Sequence, residues 1–170
     1  KGYSVNETDP DKVAEVRDLL IDTKGTLLAY DDTTFYSKLV SGEAELVHAW
    51  DGWCNYGIAE NGDIKYVIPE EGSDLWVDTM VILKNSENKD AAYDFVNFIL
   101  DAKKHGWAAE NILYKVPNEP AMEGLSAEML ETFPNMAMTA DELLQYEQLR
   151  DVGEAQRQPV LSPRNPTQVW

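Results

Sequence analysis

The sequence predicts an α/β fold built on a mostly parallel sheet. Residues 1–70 alternate helix, strand, helix, strand, helix, strand, the pattern that places parallel strands between covering helices. A further β-prone run at Leu75–Leu83 precedes a strongly periodic helical stretch. The chain has 170 residues, 44% hydrophobic and 26% charged, which suits one large domain or two small lobes with a buried core.

Asp9-Pro10 opens the first helix, with Asp9 as N-cap and Pro10 at the first helical position. Val13, Val16, Leu19 and Leu20 follow at helical spacing, and Gly25 ends the unit. Thr26–Tyr30 reads as a short buried strand. Asp32 is placed to cap a helix through about Ser41. The carboxylates of Asp31-Asp32 are favoured there by the helix dipole and need no ligand. Ala44–Trp50 is a second strand, and Asp51-Gly52 turns the chain into a helix reaching about Glu60. Asn61-Gly62-Asp63 is a turn, and Ile64–Ile68 is a third strand stopped by Pro69.

After the loop Glu70–Ser73 comes the run Leu75–Leu83. Asn88-Lys89-Asp90 begins a helix to about Ala102, with Ala92, Phe95, Val96 and Ile99 on one stripe. A second helix spans about Lys103–Asn111, and Ile112–Asn118 is extended. Ser126 opens a short helix that Pro134-Asn135 ends. Thr139-Ala140-Asp141-Glu142 is a capping box for a last helix through about Gln156. Pro159, Pro163 and Pro166 mark an extended or disordered tail.

Charge is the outlier: 31 Asp+Glu against 14 Lys+Arg give a formal net charge of -17. A phosphate backbone requires a basic patch, so nucleic acid is not an expected partner, and anionic membrane surfaces are disfavoured likewise. A cationic ligand is attracted by such a field, although an acidic surface also serves solubility alone. The single cysteine, Cys54, allows no intrachain disulfide and behaves as a small buried hydrophobe. His48 and His105 show no metal-ligand spacing, and neither a metal nor a cofactor is expected. No apolar run reaches the ~18–20 residues of a membrane helix. The opening Lys1-Gly2-Tyr3-Ser4 lacks the pattern of a signal peptide, which leaves a cytoplasmic protein or a mature or trimmed piece of an exported one. There is no internal repeat, P-loop, GxGxxG, GxSxG, HExxH or EF-hand loop.

Two stretches carry binding chemistry. Ala49-Trp50-Asp51-Gly52-Trp53 and Leu75-Trp76-Val77-Asp78-Thr79 each set an indole beside a carboxylate. A carboxylate takes charge and N–H donors, while an indole face takes methylenes and cation–π contact. The pair suits a small, multiply charged amine. Trp50 and Asp51 fall at a strand's carboxyl end, where open α/β sheets bind ligands. If Leu75–Leu83 alternates, Trp76 and Asp78 share one face.

Further stretches in order are Gly2-Tyr3-Ser4 with Asn6, Thr8, Asp9 and Pro10, then Trp50-Asp51-Gly52, Ile68-Pro69-Glu70-Glu71-Gly72 and Trp76-Val77-Asp78. They continue with Asn88–Ala92 leading into Phe95–Leu100, Tyr114 before Pro117-Asn118, and Arg150-Asp151-Val152-Gly153. Together they resemble the C-terminal half of the spermidine/putrescine-binding proteins, the solute receptors of polyamine ABC importers. The resemblance covers about Lys1 to Ala155. It implies a class II periplasmic-binding fold: a three-layer lobe with a partial second lobe, and a cleft that closes by hinge motion. By it, residues 1–74 form an α/β lobe and 75–118 the crossing strand and helices of a partial second lobe. Residues 119–157 are returning helices and 158–170 the Pro-rich tail. It assigns ligand contacts to Trp50, Trp76, Asp78 and Tyr114, with Asp51 and Trp53 flanking the first motif. Some relatives carry an acidic residue where Trp53 stands.

The resemblance implies a non-enzymatic polyamine receptor, working with an ABC importer permease in the periplasm or elsewhere outside the cytoplasmic membrane. The family's N-terminal half is not matched, which leaves a fragment, a recombined gene, or a half that assembles with itself or another chain. A stand-alone cation-binding or protein-interaction module derived from such a receptor is the alternative. Leu75–Asn118 without its usual lobe is expected to expose apolar surface and favour a homo-oligomer or a domain swap. No nucleophile–base–orienter set supports catalysis.

Overall fold

A helix or turn closes on local hydrogen bonds, whereas a strand exists only beside a second strand, and this difference decides which elements form. The computed structural model describes residues 1–154. The chain divides into two compact units. The first contains Lys1–Tyr30, Pro69–Trp76 and the described part of 144–170, and the second Asp31–Ile68 and Val77–Leu143.

In the first unit, α1 spans Pro10–Thr23. Asp9 caps it by accepting from the N–H groups of Asp11 (2.9 Å) and Lys12 (3.4 Å), as the Asp-Pro pair predicts. A 3-10 turn, Lys24–Thr26, follows. The sheet is small: β1 (Asp74–Leu75) pairs in parallel with β2 (Glu147–Gln148), Asp74 opposite Glu147 and Leu75 opposite Gln148. The N-terminal segment is stitched to β2 by side chains. Glu147 accepts from the Ser4 hydroxyl, the Val5 N–H (3.2 Å) and Asn6 Nδ2 (3.0 Å). The Asn6 carboxamide also donates to the Gln148 carbonyl (2.8 Å) and accepts from the Arg150 N–H (2.7 Å). It thus takes the place a neighbouring peptide group would hold on that strand.

In the second unit, α2 spans Phe35–Val40 and α3 Asp51–Glu60. The carboxylate that organises the start of α2 is Asp31 and not Asp32: it accepts from the N–H groups of Thr33 (2.9 Å) and Thr34 (2.8 Å). Hydrogen bonds from Thr34 above all hold the Asp31 carboxyl far below the usual range. α3 begins and ends where the sequence places it, with an Asx turn after it, Asp63 N–H to Asn61 Oδ1 at 3.0 Å. α4 (Lys89–Leu100) and α5 (Ala102–Ile112) follow, then α6 (Glu119–Met122), α7 (Ala127–Thr132) and α8 (Ala140–Leu143). The core of this unit is Ala109, Val116, Ala121, Leu125, Phe133 and Met136. Asn118 locks the joint between α4 and α5 by donating to the Leu100 carbonyl (2.9 Å) and meeting His105 Nδ1 (3.1 Å).

Several sequence expectations change. Among the described residues, strand forms only at 74–75 and 147–148, so the runs 26–30, 44–50 and 64–68 and most of 75–83 carry none. Each needs a neighbouring ladder that the described residues do not supply. Leu46 and Val81, meant for a sheet interior, are 91% and 77% exposed. The α4 stripe is half-covered: Ala92, Val96 and Ile99 are half-buried, while Phe95 is exposed. The Thr139–Glu142 capping box closes (Thr139 N–H to Glu142 Oε2, 2.7 Å), but α8 stops after one turn. The expected continuation to Gln156 and the tail at 158–170 lie partly or wholly outside the described residues.

Hydrogen bonds from Ser4 and then Asn6 depress the Glu147 pKa, so their contribution is present above its ordinary value and fades as pH falls through the lower folded value. Hydrogen-exchange protection at the Val5 amide is expected to fall over that acid range. Asn6→Ala is expected to cost about 1–2 kcal/mol and to deprotect the Arg150 amide at neutral pH.

Candidate ligand-binding site

Asp51 is the first residue of α3, and Trp50 is its N-cap in extended conformation. A carboxylate in a first helical turn is favoured by the dipole, and the N–H groups of Gly52 and Asp51 itself donate to this one. Burial nonetheless dominates and pushes the Asp51 carboxyl above its ordinary value. Asn135, from the 3-10 turn Pro134–Ala137, lies against the carboxylate and moderates the rise. Neither polar atom of Asn135 closes a hydrogen bond of standard geometry. Among the described residues, Asp51 has no Lys or Arg within ion-pair distance. Lys115 instead donates to the Met136 carbonyl (3.0 Å).

Tyr114 reaches this corner because Gly52 has no side chain. A Cβ at Gly52 would lie 2.1 Å from the ring of Tyr114, so the ring rests directly on the first turn of α3. Leu113 prepares the approach: it ends α5 at φ 54°, and its carbonyl accepts from Asn55 Nδ2 (2.8 Å). The Trp53 N–H meets the Tyr114 hydroxyl, and burial first, then the Asp51 charge, pushes that hydroxyl up to about 12. The Cys54 thiol is pushed up to about 11 for the same two reasons in the same order. Both groups are neutral at neutral pH.

Trp50 is 44% exposed and tilts against Phe35, ring centroids 6.1 Å apart. Trp53 is more engaged: it stacks on Tyr36 (5.1 Å, 28°) and meets Phe35 and Tyr56. Its indole holds α2 on α3, while Trp50 stays partly open to solvent. The structure therefore brings Trp50, Asp51, Trp53 and Tyr114 to one end of α3. Asp78 is exposed in the irregular stretch after Val77, in the same unit, and among the described residues makes no hydrogen bond or ion pair. Trp76 is half-buried and belongs to the other unit. The alternating strand predicted to give Trp76 and Asp78 a common face is not formed.

Sequence reasoning missed Gly52 as a steric requirement and missed Asn55 and Asn135. Asn55 stands four residues after Asp51, so helical spacing does put it on the same face. Asn135 reads only as a helix stop, since its proximity to Asp51 arises from folding over more than eighty residues.

A family model for bacterial extracellular solute-binding proteins matches residues 1–117. Spermidine/putrescine-binding periplasmic protein 1 of Haemophilus influenzae is 28% identical over 154 residues, 91% of this chain and 42% of that protein. The putrescine/cadaverine-binding protein of Pseudomonas aeruginosa is 28% identical over 162 residues, 92% of this chain and 46% of that protein. The spermidine/putrescine-binding periplasmic protein of Escherichia coli is 29% identical over 154 residues, 91% and 44% respectively. The chain thus spans less than half the length of these relatives. No solved structure matches it.

Gly52→Ala is expected to cost about 1–3 kcal/mol, because the Tyr114 ring must leave the helix. In a Tyr114→Ala background the same substitution is expected to cost much less, and thermal melts of the double-mutant cycle measure the difference.

Proposed function

The chain belongs to the family of bacterial extracellular solute-binding proteins, and on that premise we propose that it binds a polyamine such as spermidine or putrescine. The observation that carries the reading is a partly buried carboxylate, Asp51, with no cation of the described chain beside it and an exposed indole, Trp50, at its side. An ammonium group supplies the missing charge and several N–H donors, and the adjoining methylenes suit the Trp50 face. Tyr114 closes the site from the segment after α5. Asp78 is proposed to contact another part of the ligand and Trp53 to hold the aromatic wall, while Trp76 stays a proposed ligand contact of its own unit. The proposed role is reception outside the cytoplasmic membrane and delivery to an ABC importer permease, with no catalytic step.

The exposed apolar side chains belong to the same reading. Val77, Met80, Val81 and Leu83, with Phe95 and Phe98 of α4, are all at least half exposed. In a three-layer, two-lobed receptor these would be covered by polypeptide equivalent to the part of the relatives this chain does not span. Without such cover, self-association through these faces is expected.

Calorimetry with spermidine and putrescine tests the proposal. Asp51→Asn is expected to weaken binding roughly 10- to 150-fold, the worth of one charge-assisted hydrogen bond. Trp50→Ala is expected to weaken it roughly 2- to 30-fold. Since the folded Asp51 pKa is raised, its ionisation works against folding: stability is greatest below the ordinary carboxylate pKa and declines as pH rises through the folded value. Asp51→Asn is therefore expected to raise the melting temperature at neutral pH while it weakens binding. Absence of heat in wild type at millimolar amine sinks the proposal.

A further inference from the structure

Asn135 is 8% exposed, and both polar atoms of its carboxamide are withdrawn from water without a well-formed hydrogen bond. An amide so placed is costly unless something answers it. The group it lies against is the Asp51 carboxylate. That carboxylate already takes the first N–H groups of α3, so this helix end is filled by the chain's own anion. A ligand approaching from outside must bring positive charge. It meets Asp51 and not Asn135, whose polar atoms solvent does not reach.

We infer that Asn135 is a positioning residue for Asp51: from the buried side its carboxamide steadies the ionised carboxylate and aims the outer oxygen at the ammonium group of a bound amine. This rests on the polyamine reading above. An ionised carboxylate is a stronger acceptor than a protonated one, and a bound cation favours the ionised form, so the contact with Asn135 tightens when ligand binds. The ligand-free protein then carries a loose, costly amide, and the complex carries a satisfied one.

The groups that face Asp51 do not confuse the test. Cys54 from α3 and Tyr114 from the segment after α5 are both neutral below pH 8. Lys115 is engaged with the Met136 carbonyl and, electrostatically, with Glu142. Asp51 is thus the carboxylate among these groups whose pKa burial raises.

The experiment compares putrescine binding by wild type, Asn135→Leu and Asn135→Gln from pH 4 to pH 8, with urea unfolding of each protein alone. Leu keeps the size and drops the amide, and Gln keeps an amide. With Asn135→Leu, affinity at pH 7 is expected to fall roughly 5- to 30-fold. The acid limb of the binding profile is expected to move to higher pH, and the urea midpoint to hold or rise. Asn135→Gln is expected to restore part of the affinity. Should Leu not fold, Asn135→Ala is read in the same way. The acid limb decides: a limb that stays in place overturns the inference whatever happens to stability, since a purely structural amide does not move it. Unchanged affinity also overturns it, and means that a buried water answers the amide. These outcomes are distinct from failure of the polyamine reading, in which wild type itself gives no binding, and which takes this inference with it.

Discussion

A carboxylate drawn partly out of water, with no cation of the described residues beside it, is the feature on which the α3 corner depends. Burial penalises its charge, and the compensation from the described residues is dipolar: two N–H groups at the start of α3 and the Asn135 amide. Dipoles at a helix end are worth a fraction of what a full opposite charge supplies at short range. The corner is thus under-compensated when empty. It differs in this from an internal ion pair, in which a Lys or Arg of the chain stands beside the carboxylate.

The corner exists because three distant stretches converge on the first turn of α3. Gly52 lets the Tyr114 ring lie on the helix backbone. The Asn55 side chain, bonded to the Leu113 carbonyl, fixes where the chain leaves α5. The 3-10 turn at Pro134–Ala137 brings Asn135 underneath. Phe35, Tyr36 and Tyr56 hold Trp53, and this packing sets the orientation of the turn that presents Trp50 and Asp51. The second indole of the motif thereby supports the first.

What was legible in the sequence divides along the range of the interactions. The Asp9-Pro10 start, the Asn61–Asp63 turn, the Ser126 cap and the Thr139–Glu142 box are closed by groups within a few residues, and each forms as written. The extent of α3 follows from the same local signals. The strands are another matter: hydrophobic pattern marks a candidate, but only a neighbour makes a ladder, and among the described residues few neighbours are present. Asp78 is exposed, so its carboxylate carries no burial cost. At the site, Trp50, Asp51 and Tyr114 were visible as chemistry, whereas Gly52 and Asn135 matter through contacts that no local spacing encodes.

The formal charge of -17 acts on a different length scale from Asp51. Exposed carboxylates are screened beyond about 8 Å at physiological salt, and water competes for each of them. Their summed field can gather cations near the protein and speed encounter, but it does so for sodium as well as for an amine. Discrimination needs a place where hydration is surrendered and particular contacts replace it. A small inorganic cation at Asp51 gains charge but nothing from the Trp50 face or from directed N–H donation. An alkylammonium gains all three, at the cost of shedding less tightly held water. On the polyamine reading proposed above, the acidic surface would govern how often cations arrive, and the partly dehydrated corner beside Trp50 which of them stays.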